Sequence, residues 1–125
     1  MEKTTLRILQ NGRIIFQSEK RWLMPLFDFE EYLHDHPQDT AALEFHDKVI
    51  GKAAALLMIR LGAAGVHGDV MSRLACGILD HHAIPYTYKT LVDRIDCQTE
   101  QILLEIDDPE SAYAILAERA HRSAS

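Results

Sequence analysis

The run Val49-Ile50-Gly51-Lys52-Ala53-Ala54-Ala55-Leu56-Leu57-Met58-Ile59-Arg60-Leu61 is apolar or small at every position except Lys52 and Arg60. A helix that is apolar all round has to be enclosed all round, so this chain must fold as a shell about it. Gly51 and the alanines keep such a helix narrow enough for neighbouring strands to come close. Asp47, just ahead of the run, reads as its N-cap, with a catalytic role orienting Lys52 or a ligand as the alternative. Lys48 and Lys52 stand four apart, on one face of the predicted helix, in its first turns. The helix dipole favours anions there and disfavours cations. Two lysines in that place fit an anion site at the helix N-terminus.

The rest of the chain supplies that shell. With 125 residues, 47% of them hydrophobic, it is long enough for one domain with one core, its ends fraying over 1–4 and 121–125. A net charge of −6 argues against binding a nucleic-acid backbone, which calls for a basic face. No basic-then-apolar signal peptide opens the chain, and the apolar run is too short and too charged to span a bilayer. Cys76 and Cys97 form no C-x-x-C pair and no disulfide framework, so a reduced, cytoplasmic setting is expected.

Taken in order, Leu6–Gln10 and Arg13–Gln17 are β-rich runs on either side of Asn11-Gly12, whose tolerance of positive φ makes a tight hairpin. Pro25 suits the first turn of a helix that continues through Leu26, Phe27, Phe29, Glu30 and Leu33. Residues 34–40 read as a loop, and Ala41 to Phe45 as a short apolar approach to the central helix. Gly62 to Gly65 ends that helix through a left-handed glycine cap. A strand over 66–70, an amphipathic helix over 72–82, and a strand region from Ile84 to Tyr88 follow. Residues 100–106 fit helix or strand equally, and Asp108-Pro109-Glu110 starts the last helix, with Asp108 as N-cap. Strands joined through helices predict a mixed sheet with helices packed on its faces, a three-layer α/β/α sandwich.

The block Asp47-Lys48-Val49-Ile50-Gly51-Lys52-Ala53-Ala54-Ala55 resembles the hallmark of an uncharacterised prokaryotic family with a cytidine-deaminase-like fold. So do the passage from Leu74 to Ile84, Leu91-Val92, Cys97-x-x-Glu100, and Ile106-Asp107-Asp108-Pro109-Glu110-x-Ala112-Tyr113. The resemblance implies a three-layer α/β/α domain whose central helix lies where true deaminases carry a His-x-Glu zinc motif. It carries Asp47, Lys52, Cys97 and Glu100 over by position. Gln98 stands where the family pattern has proline, after a shorter loop. Zinc deamination needs H-x-E and P-C-x-x-C, and this chain has neither, so no metal and no cofactor is expected.

Lys52 is the leading candidate for chemistry: a lysine in an apolar helix is costly to keep, and once desolvated it could act as base or nucleophile. Its structural alternatives are to snorkel to the surface or to pair with Asp47 or Glu100. Cys97, three before Glu100, could be a nucleophile at a helix start or line the site without covalent chemistry. Lys48, Gly51 and Glu100 are the expected ligand contacts. His34, His36, His81 and His82 read as solvated in a loop and at a helix end rather than as metal ligands. Cys76, Trp22, Phe27 and Phe29 read as core, with Trp22 alternatively covering a pocket or a dimer contact. The leading expectation is a zinc-free domain that binds an anionic or nucleotide-like small molecule, with Lys52-dependent acid/base chemistry left open. The alternative is a non-catalytic binding or assembly module that keeps only the fold. A homodimer is compatible with a sheet domain of this size.

Overall fold

A computed structural model describes residues 4–20, 22–36, 43–95 and 102–124, with side chains up to residue 120. The hairpin forms as its turn chemistry requires. Strand β1 (Leu6–Gln10) pairs antiparallel with β2 (Arg13–Ser18), and Asn11 and Gly12 take φ values of 54° and 82°. A bulge opposite Ile8 and Leu9 shifts the register, which re-aims the side chains of β2. Helix α1 (Met24–Asp35) has Pro25 in its first turn and takes in His34 and Asp35, so the loop predicted from residue 34 starts later.

The largest departure from expectation lies at the central run. Strand β3 (Leu43–Ile50) continues through Asp47, Lys48, Val49 and Ile50, and helix α2 (Lys52–Arg60) starts only after Gly51. The cause is tertiary. Asp47 pairs with Leu6 on one side and Gly68 on the other, and Val49 and Ile50 pair with Val70 and Met71. Periodicity cannot separate an apolar strand from an apolar helix when the two follow each other. Asp47 is therefore not an N-cap, and Lys48 and Lys52 do not share a helix face. Gly51 holds the N-cap position with extended backbone and no side-chain cap.

The remaining elements are β4 (Gly65–Ser72), α3 (Arg73–His81), β5 (Tyr86–Val92) and α4 (Pro109–Ala124). Ser72 caps α3 by accepting from the Ala75 N–H at 3.1 Å, and Asp108 caps α4 by accepting from the Ser111 N–H at 2.9 Å. Residues 103–105, within the stretch left open between helix and strand, form a turn with Leu103 wholly buried.

The sheet order is β2-β1-β3-β4-β5, antiparallel across the first two pairs and parallel across the last two. Phe45 pairs with Ile8 and with Val66, so all three point to the same side. Phe29 of α1 meets Phe45 edge-on at 5.7 Å and Phe16 at 5.1 Å, which sets α1 on that side. Tyr86, in register with Val66, donates its hydroxyl to Asp80 of α3, which sets α3 there too. Between them Ala53 to Met58 of α2 are all buried, with α4 completing the enclosure. Arg60 fastens the far end of α2, paired with Glu30 of α1 and Glu110 of α4 and lying 3.6 Å over the Tyr113 ring. The enclosed central helix is as expected, but the three-layer arrangement is not: the described helices gather on one face of the sheet.

The other face is polar. Arg7, His46, His67 and Thr87 stand in one cross-strand row, since His46 pairs with Arg7 and His67, and His67 with Thr87. Among the described residues no helix covers them. Trp22 is not core: it is 40% exposed with φ 58°, while Phe29 is buried and Phe27 packs at the core margin. No helix among the described residues is long and apolar enough to cross a membrane.

Candidate functional site

Lys52 is 4% exposed. Its Nζ donates to the Leu103 carbonyl at 2.8 Å, the Leu104 carbonyl at 3.3 Å and Asp107 Oδ1 at 2.7 Å. An ammonium has three donors and no acceptor, so these three acceptors match its hydrogen-bonding capacity. The lysine bolts the 103–107 turn onto the start of α2 and so holds Leu103 in the core. Asp107 keeps its carboxyl below the usual range because of the hydrogen bond and charge of Lys52. His82 Nε2 lies 3.3 Å from the Asp107 carbonyl on the same turn.

Asp47 belongs to a different place. With Arg7, Lys48, Asp69, Lys89 and the two histidines 46 and 67, it lines a hollow of about 220 Å³ on the bare side of the sheet. Lys52 is not among the lining residues. Burial pushes the Asp47 carboxyl up to about 7, against the pull of hydrogen bonds from the Val49 and Lys48 backbone, and the charge of Asp69 adds to the rise. Asp47 shares its cross-strand row with the buried Leu6 and with Gly68, so its side chain leaves the strand on the helix side, opposite to that of Lys48. Arg7, Lys48 and Lys89 gather about the hollow beside Asp69, on a chain whose net charge is −6.

The two histidines join this hollow to a wider one. The His46 and His67 rings lie 5.4 Å apart, centre to centre. His67 Nδ1 makes a 2.6 Å hydrogen bond with Thr87 Oγ1, and its Nε2 is 3.7 Å from Asp69 Oδ1. Asp69 also lies 3.8 Å from Lys89 Nζ, and His46 Nε2 lies 3.5 Å from Glu44. Both rings also line a second hollow of about 480 Å³, which Glu44, Gly65, Pro85 and Thr87 help to form. Among the described residues, no three His, Cys, Asp or Glu side chains come together to hold a metal ion.

Of the residues singled out in the sequence, Lys48 stands on the bare face of β3 and Asp47 on its helix side, while Gly51 and Lys52 begin α2 and serve the 103–107 turn. Cys97 and Glu100 lie outside the described residues. Cys76 is a free, partly buried thiol in α3, raised by burial. His67, Asp69, Lys89 and Arg7 were missed. The signal was there in alternation: Glu44-x-His46-x-Lys48, His67-x-Asp69 and Thr87-x-Lys89 each place polar side chains on one strand face. Only the pairing of β3, β4 and β5 turns three short alternations into one surface.

The profile of the domain of unknown function DUF1893 (TM1506) matches residues 1–120 of the chain. A solved structure, that of a DUF1893 family protein (TM1506) from Thermotoga maritima, is similar with a TM-score of 0.78 and 24% identity. The match covers 93% of this chain and 80% of that one. Among curated proteins none matches. The chain belongs to the DUF1893 family.

Proposed function

We propose that this DUF1893-family chain is a cytoplasmic domain that binds an anionic, nucleotide-like small molecule on the bare face of its sheet. The observation that carries this reading is the gathering of Arg7, Lys48 and Lys89 around one hollow of an acidic chain. A cleft lined by one sign of charge concentrates ligands of the other sign. Lys52 takes a positioning role in this reading, since its donors already meet Leu103, Leu104 and Asp107. Lys52-dependent acid/base chemistry therefore gains no support.

The test is a thermal-shift panel of nucleotides, sugar phosphates and small carboxylates on the parent, Lys89→Ala, Arg7→Ala and Lys52→Met. A ligand present at a hundred times its Kd stabilises by about 2.7 kcal/mol, enough to move the midpoint by several degrees. Shifts that shrink in Lys89→Ala and Arg7→Ala and persist in Lys52→Met support the reading. Shifts abolished only in Lys52→Met return the site to the start of α2.

A second reading, a non-catalytic assembly module, is favoured by one observation. Parallel strands are ordinarily covered on both faces, and β3, β4 and β5 have one face without a described helix. Sedimentation velocity separates the readings: a dimer that dissociates when Thr87 and Lys89 are both replaced by glutamate supports assembly through this face.

A further inference from the structure

The two hollows of the bare face meet at His46 and His67 but differ in chemistry. The narrower one is cationic, with Arg7, Lys48 and Lys89 at its walls. The wider one has no lysine or arginine: it runs along Gly65 and Pro85, with Glu44 at its margin. Its volume of about 480 Å³ lies in the range of small-molecule pockets, whereas the cationic hollow, at about 220 Å³, falls below that range. Glu44 repels a second anion, so the wider end takes an uncharged part of a ligand. Gly65 lets that part approach the strand backbone closely, as a glycine inside a strand often does. The paired imidazoles offer ring faces and edges where the two parts join.

We infer that the ligand is a phosphomonoester of a flat ring, its phosphate in the Arg7–Lys48–Lys89 hollow and its ring over Gly65, between His46 and Pro85. This deepens the anion-binding reading and rests on it. The ordering of the two ends follows from charge, and the need for a single negative end follows from Glu44.

Calorimetric titration with inorganic phosphate and with phenyl phosphate tests it, using the parent chain and Gly65→Leu. A Cβ on Gly65 would meet nothing closer than 3.8 Å, from Glu44 Cγ and the Pro85 carbonyl, so the larger side chain can be accommodated and fills the wide hollow. The expected result is phenyl phosphate binding about tenfold more tightly than phosphate to the parent, and no better than phosphate to Gly65→Leu. Ring-proton contacts from phenyl phosphate to the His46 and His67 imidazoles, seen by NMR on the parent, give the same answer without a variant. Equal affinity of the two anions for the parent, or absence of those contacts, overturns the inference and leaves anion binding standing. Failure of both anions to bind the parent overturns the anion-binding reading itself.

Discussion

Burial pushes the Asp47 carboxyl up to about 7, so the folded chain holds a proton there that the unfolded chain releases near pH 4. Between those values the folded state binds more protons, and stability falls as pH rises through the window. Asp47→Asn keeps an acceptor for the backbone N–H groups and removes the charge. It should be more stable than the parent at pH 8, by about 4 kcal/mol, and level with it near pH 4. Urea denaturation at both pH values checks this; a gap independent of pH contradicts it. Lys52→Met keeps the apolar stem and loses the ammonium, leaving the buried Leu103 carbonyl without that donor. The expected loss is about 1–3 kcal/mol, with faster amide exchange through 103–107. Asp107 is exposed enough to return to water, which keeps the loss below that of breaking a fully buried pair. Lysine's cost in an apolar run was legible in the sequence. Its partners were not, because they lie about fifty residues further on and are mostly backbone carbonyls.

Turns and caps were the most legible elements, because they depend on a few adjacent residues. Asn11-Gly12, Asp108 and Gly62 act as their chemistry predicts. Gly62 closes α2 with φ 80°, the Gly62 N–H meeting the Ile59 carbonyl and the Ala63 N–H that of Met58. The same pattern closes α3, where Ala83 takes φ 57° and the Ile84 N–H reaches the Leu79 carbonyl at 2.9 Å. An alanine there is strained where a glycine is not. Ala83→Gly should therefore stabilise the protein by about 0.5–1 kcal/mol, measured as a raised thermal midpoint; a lowered midpoint contradicts the cap assignment. The boundary between β3 and α2 was illegible for the opposite reason. Val49 and Ile50 continue one apolar run with α2, and only their pairing with Val70 and Met71 makes them strand. That boundary decides where Asp47 and Lys48 stand, so their relation to Lys52 could not be read ahead of it.

The molecule as a whole is a sheet with its helices on one side and a charged surface on the other. Mean composition hides this division, since a net charge of −6 gives no hint of a cationic hollow. Strand alternation carried it, in residues such as His67-x-Asp69, but the face each alternation belonged to depended on register across four strands. Anion binding at such an open surface should weaken steeply with salt, because charges this exposed are screened within about 8 Å at physiological ionic strength. Affinity unchanged between low and high salt would argue for an apolar occupant instead. The most direct test of the account is an NMR titration of the histidine side chains with inorganic phosphate. His46 and His67 line the proposed hollow, whereas His81 and His82 flank the turn that Lys52 fastens. The account predicts saturable shifts at His46 and His67 that are lost in Lys89→Ala, with His81 and His82 unmoved. Shifts confined to His81 and His82 would contradict it and place the anion at the start of α2.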